Sequence, residues 1–283
     1  QIRINHVYID SESLGRISIG QNYSFNDAVS VPFQVANTFN TDGGPYADGM
    51  QLTTGAGDFA GFSWGQLIGN GPRRNDYLRY DSPAFGGFAV MALWGDNDIW
   101  EVGARFFNKI DRFQVQTAID YYNYDAEPLG SAGGLAKFDE VKGIFSVKDL
   151  PTGLFLTLWA AQRDYERNGL EDTGHSLQGF FGIEKNFTGY GNTTIYGGYG
   201  QFNDMASTGL LFTGGNIDPE EPTPVVTDAE VSRITFGMVQ TIDAAALDIY
   251  GIVEHFSADV TTTAGDADLE DYQAIVIGSR IKF

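Results

Sequence analysis

The sequence of 283 residues contains no cysteine. That excludes a disulfide framework, a thiolate zinc site and a cysteine nucleophile. Histidine is nearly as scarce: His6, His175 and His255 leave little material for a histidine-rich metal site. Basic residues are few, 17 against 37 acids, for a formal net charge of −20. Nucleic acid and anionic surfaces recruit clustered lysine and arginine, so no nucleic-acid partner is expected. Charged residues of both signs make up only 19% of the chain, below the usual quarter. Long apolar runs are missing as well. The best, Gly87–Gly95, is followed at once by Asp96 and is about half the roughly 18 residues that a spanning helix needs. The chain opens at Gln1 with neither a charged segment nor an apolar one behind it, which reads as a sequence from which any signal peptide has been removed.

What is abundant is glycine, 36 residues, and aromatic side chains, 14%. A disordered acidic chain would be poor in aromatics, so this one folds. Its dominant period is two. From Asp98 onward, apolar and polar residues alternate in runs of roughly 11–13, and short and long connections separate the runs in turn. Tight links occur at Ile110-Asp111, Leu150–Gly153, Thr188–Gly191 and Asp243-Ala244, and long ones at Asp125–Ala136, Glu166–His175, Asn203–Ala229 and Ser257–Glu270. In one run Phe113, Val115, Thr117, Ile119 and Tyr121 share a face, opposite Gln114, Gln116, Ala118, Asp120 and Tyr122. A soluble sandwich or propeller alternates too, but its strands average about 5–6 residues, and no blade repeat is present. Strands of about 9–11 residues or more, with tight turns at one end and long loops at the other, match a bilayer. The expected fold is all-β: a single transmembrane antiparallel β-barrel domain over residues 1–283.

Several segments resemble the general porins of Gram-negative outer membranes. Arg3–Ile9 followed by Leu14–Asn22, with Gly15 and Gly20 at matching spacing, looks like the family's fourth and fifth strands. Tyr80-Asp-Ser-Pro-Ala-Phe-Gly-Gly-Phe88 resembles its sixth-to-seventh hairpin, and Ile275, Ile277, Ile281 and the terminal Phe283 resemble its assembly signal. Strands are expected at about 2–10, 14–21, 76–82, 86–95, 98–109, 112–124, 137–148, 154–165, 176–187, 192–202, 230–242, 245–256 and 271–283. Bacterial single-chain barrels close with an even strand number. If residues 2–10 correspond to the fourth strand, these thirteen are part of a barrel of sixteen, and three N-terminal strands are missing.

Between Asn22 and Asn75 lie about fifty residues with little alternation, and a connection that long is usually functional or disordered. The resemblance implies that segment 22–75 folds into the barrel as a constriction loop. It further implies a field between the loop carboxylates Asp27, Asp42, Asp48 and Asp58 and the wall arginines Arg3, Arg16 and Arg79. Gln21 stands where many members carry another arginine. The function implied is an outer-membrane, homotrimeric diffusion channel for small hydrophilic solutes and ions, in contact with outer-membrane lipid and lipopolysaccharide and performing no chemistry. The acid excess points to a mild cation preference. A solute-selective channel of the same fold, using Trp159, Tyr196 or Tyr122, is the alternative, and a soluble carbohydrate-binding β-protein is a third. No cofactor is expected, although the acidic run Asp266–Asp271 is a candidate for Ca2+. Gly61-Phe-Ser-Trp-Gly65 matches a nucleophile elbow, but it lacks the strand-turn-helix context that this motif requires.

Overall fold

A computed structural model of the chain describes residues 4–24, 35–38, 50–69, 74–96, 99–124, 137–166, 172–205, 212–213 and 223–282. Thirteen long strands form one antiparallel sheet. They are β1 (Asn5–Ser11), β2 (Gly15–Tyr23), β5 (Arg74–Asp81), β6 (Phe88–Gly95), β7 (Trp100–Ile110), β8 (Phe113–Tyr124), β9 (Lys137–Asp149), β10 (Leu154–Glu166), β11 (Asp172–Lys185), β12 (Thr193–Asn203), β13 (Val226–Ile242), β14 (Leu247–Thr262) and β16 (Tyr272–Ile281). Each pairs with its neighbour in sequence order, and the two-residue β15 (Gly265–Asp266) folds back on β14. Among the described residues β1 and β16 are the two edges of the sheet.

Three strands run four or more residues beyond the expected bounds. β11 begins at Asp172, β13 at Val226, and β14 continues to Thr262. The pairs Ala229↔Val260 and Val226↔Thr262 extend the β13–β14 ladder past the alternating region, across a bulge between Val226 and Asp228. The irregular pattern there reflects the extra unpaired residue of a bulge. The stretch between β2 and β5 also holds more regular structure than its composition suggests. β3 (Gln51–Thr53) and β4 (Phe59–Ser63) form a small hairpin, followed by the single turn α1 (Trp64–Leu67). Ser63 is the N-cap of that turn: its hydroxyl accepts from the Gln66 N–H, and the Gln66 side chain accepts from the Ser63 N–H. The serine of the apparent nucleophile elbow therefore starts a helix.

The strands sort their side chains by face. Ile119, Phe145, Leu158, Leu177, Phe236 and Ile275 lie on the outer face and are all exposed. Tyr80, Phe88 and Phe113 edge this apolar band at the tight-turn end, and Trp94 and Trp100 edge it at the long-loop end. An apolar belt between aromatic girdles is the arrangement of membrane barrels. Phe283, the terminal member of the expected assembly signal, lies outside the described residues.

The inner face explains much of the glycine. Tyr77↔Gly95, Phe155↔Gly182, Phe180↔Gly198, Tyr196↔Gly237 and Tyr250↔Gly278 are directly opposed pairs. In each the ring lies across its glycine, so a Cβ at Gly237 would stand 2.2 Å from Tyr196. Glycine is needed here because another group approaches closely. Gly237→Ala should therefore cost about 1–3 kcal/mol through overpacking, read as a lower urea midpoint for refolding into detergent. Restoring space with Tyr196→Leu in the same chain should recover part of that loss, and an unchanged midpoint in the single variant would refute the packing argument. The turns have their own requirements. Asp111 takes a positive φ of 54° in the β7–β8 turn, a conformation that aspartate tolerates better than most residues. Next to it Arg112 pairs with Asp149, which raises the guanidinium pKa.

Candidate functional site

The interior is built from inward-facing side chains and from pieces of the segment between β2 and β5. Near the tight-turn end, residues 35–38 are fastened to four strands. The Val35 N–H donates to Ser146 Oγ on β9 (3.2 Å), and the Asn37 N–H to Glu184 on β11. Asn37 Nδ2 donates to Thr241 Oγ1 on β13 (3.2 Å), and Arg280 on β16 donates to Asn37 Oδ1 (2.7 Å). These partners belong to an ionic girdle in which Lys148 pairs with Glu184, while Arg280 and Lys282 pair with Asp248. Only a curled sheet brings β9, β11, β13 and β16 around so short a segment.

At the long-loop end the β3–β4 hairpin and α1 fill the interior. Leu52, Phe62, Trp64 and Leu67 are buried together with Phe202, Val231, Phe256 and Val260 of β12–β14, and the Trp64 ring lies tilted against Phe256 and Tyr272, with centres 5.5 Å and 6.3 Å apart. Arg163 locks this region. Wholly buried, it pairs with the equally buried Glu140, lies 4.3 Å from the Phe138 ring centre, and donates to the carbonyl of Gly69 at 2.7 Å. Arg233 and Glu254 form a second buried pair. Sequence alternation places all four inside, but nothing in it says which will meet.

An open space remains beside the other wall. A cavity of about 690 Å³ is lined by His6, Asp10, Arg16, Arg79, Asp81 and Arg105, with Ser18 and Asn22 between them. Cross-strand register sets this face. Asp10 opposes Arg16, Arg16 opposes Asp81, and Ser18 opposes Arg79. Arg105 opposes the buried Ala89 and Ala118. Arg16 pairs with Asp10 at 2.9 Å and lies over the Tyr8 ring at 4.4 Å. Arg79 makes two 2.8 Å hydrogen bonds to Asp81 and a third, 3.1 Å, to the Tyr23 carbonyl. Arg105 is exposed to the cavity and has no ion-pair partner among the described residues.

Of the residues singled out from sequence, Arg16 and Arg79 share this wall. Arg3, Asp27, Asp42 and Asp48 lie outside the described residues. Asp58 is exposed in the β3–β4 turn at the long-loop end, where its carbonyl accepts from the Thr54 N–H at 2.8 Å. Arg16 stands beside the β1–β2 tight turn, so Asp58 and Arg16 occupy opposite ends of the sheet. Arg105 had the right alternation in sequence, on the face of Glu101 and Gly103, and no motif to raise it above its neighbours. Trp159, Tyr196 and Tyr122 do point inward, but they are buried in a cluster with Phe155, Phe180 and Val35. The acidic run meets the inserted hairpin through its backbone: the Asp268 carbonyl accepts from the Gly55 N–H, and the Glu270 N–H donates to Thr53. Among the described residues no group of three or more His, Asp or Glu side chains converges as a metal site.

The sequence matches no family model and no curated protein. Among solved structures it is similar to OmpT of Vibrio cholerae expressed in the outer membrane, at 10% identity and a TM-score of 0.59 over 99% of this chain and 80% of that one. The trimer form of in-vitro folded Vibrio cholerae OmpT matches at 14% identity and a TM-score of 0.56, covering 99% and 78%. An anion-selective porin from Comamonas acidovorans matches at 12% identity and a TM-score of 0.53, covering 97% and 73%. At these identities the likeness is one of fold: the chain folds as an outer-membrane β-barrel protein does.

Proposed function

From a fold held in common with outer-membrane β-barrels, we propose that this chain resides in the bacterial outer membrane as a channel for passive diffusion of small hydrophilic solutes and ions. One observation carries the reading: the same sheet presents an apolar, aromatic-edged band outward and a wall of arginine and aspartate inward, beside a cavity of about 690 Å³. A water-filled passage sets its ion preference by lining charge and its size limit by its narrowest point. Here the segment between β2 and β5 narrows the interior, and the passage runs along the β1–β2–β5–β7 wall. Solutes move down their gradients, no bond is made or broken, and no cofactor is required. Burial of Trp159, Tyr196 and Tyr122 supports selection by size over selection of one solute. The acid excess of the whole chain supports a mild cation preference, and the trimer form of a structural neighbour supports assembly in threes.

Liposome swelling tests the reading. Vesicles carrying the protein should swell at rates that fall steeply with sugar size and are equal for isomers of one size. One sugar permeating far faster than its isomers would favour the solute-selective channel, and no swelling with folded protein present would overturn the proposal. Conductance should rise in steps of three, and a reversal potential of anion sign would contradict the cation preference.

A further inference from the structure

The outer face carries a second concavity, of about 780 Å³, on β8–β11 near the long-loop end. Its floor is the opposed pair Gly143 and Ala160, and the next residues of the same cross-strand row are Ile119 on one side and Leu177 on the other. Ile119 and Leu177 stand up as walls, 56% and 60% exposed. One row toward the tight turns, Phe145 and Leu158 close the groove. The opposite end turns polar: Gln162 and His175 share a row with Val141 and Tyr121, and Asp139 and Asp164 follow in the next. Asn123 Nδ2 donates to Asp139 Oδ1 at 2.7 Å, and Gln162 Nε2 lies 3.3 Å from both oxygens of Asp164. Both carboxylates retain acceptor capacity on the rim.

Nothing in the fold demands a glycine at the floor. A Cβ on Gly143 would meet only the Ala118 carbonyl at 3.6 Å, an ordinary contact, unlike the ring-covered glycines of the inner face. The depression thus exists because a side chain is missing there. It begins in the apolar band and ends at hydrogen-bond acceptors, two rows or about 13 Å away at 3.3 Å per residue. This is the profile of an amphiphile, and its volume falls in the range of ligand sites, about 300–1,000 Å³.

We propose that this groove binds one acyl chain of a membrane lipid, with an amine-bearing headgroup donating to Asp139 and Asp164. The proposal rests on the membrane reading above. The test reconstitutes the full chain in vesicles containing phosphatidylethanolamine with a photoactivatable diazirine on its acyl chain, followed by peptide mapping. Labelling should concentrate several-fold on the peptides of β8–β11 over those of β13–β14. Gly143→Phe should abolish that enrichment while the protein keeps the heat-modifiable gel migration of a folded barrel. Asp139→Asn with Asp164→Asn should reduce it, as should replacing the probe by its phosphatidylglycerol counterpart. Even labelling of all outward strands would overturn the groove and leave the membrane reading intact, whereas no labelling of any strand would overturn that reading. Cross-links between copies at β8–β11, with the lipid excluded, would assign the groove to a second chain and overturn the proposal.

Discussion

Replacing Arg105 by glutamate should raise the cation-to-anion permeability ratio by about an order of magnitude in dilute salt. The argument begins with pairing. Of the three arginines along the cavity, Arg16 is neutralised by Asp10 and Arg79 by Asp81, while Arg105 has no such partner among the described residues. A unit charge acts on an ion 4 Å away through water with about 1 kcal/mol, and less at greater distance. Reversing Arg105 changes the wall by two charges; for ions about 12 Å away that is about 0.7 kcal/mol, of opposite sign for cation and anion, so their ratio shifts by about 1.4 kcal/mol, a factor of roughly ten. Screening sets the salt dependence: the Debye length falls from about 10 Å at 0.1 M to about 3 Å at 1 M, so the effect should shrink strongly in concentrated salt. Reversal potentials under a potassium chloride gradient read this directly. Arg112→Glu, in a tight turn outside the cavity, is the control that should leave the ratio nearly unchanged.

Arg163→Ala should destabilise the folded barrel by about 3–5 kcal/mol, because it breaks a buried ion pair by removing one of its two charges. Arg163 and Glu140 are both almost wholly inaccessible. The loss extends beyond the pair, since Arg163 also donates to the Gly69 carbonyl just past α1. Removing it should loosen the inserted hairpin and increase current fluctuations in whatever fraction still folds. Arg163→Met combined with Glu140→Leu should recover most of the stability, because an apolar pair removes the other charge as well, yet it should not restore the link to Gly69. The urea midpoint and the open-channel noise of the two variants should therefore separate. If the single and double variants unfold together, the ion pair does not hold the interior.

The reasons for what the sequence revealed are visible in particular elements. β8 could be read because the faces of Phe113 and Gln114 alternate without interruption for a whole span, and burial on one side pins that register. The same alternation put Arg16, Arg79 and Arg105 on the inner face. It did not reveal that Asp10 and Asp81 neutralise two of the three, since each partner's identity depends on register between strands. The β3–β4 hairpin was opaque for another reason. Leu52, Ala60, Phe62 and Trp64 are buried by β12–β14, far away in sequence, and the alternation of Ala60, Phe62 and Trp64 spans too few residues to stand out as a strand. Asp58 shows the limit of reasoning by position in a loop. A carboxylate within the inserted segment faces the wall arginines only if the chain delivers it there, and the hairpin turn holds it at the opposite end.

The central claim is that the space beside the Arg16–Arg79–Arg105 wall conducts. Single-channel recording of the full protein in a planar bilayer tests it most directly. The predicted result is long-lived, ohmic conductance in repeated steps that a cysteine-directed blocker closes when cysteine replaces the exposed Arg105 on that wall, the chain having no cysteine of its own. Folded, membrane-inserted protein that passes no current, or current that Arg105→Cys blockade leaves untouched, would contradict it.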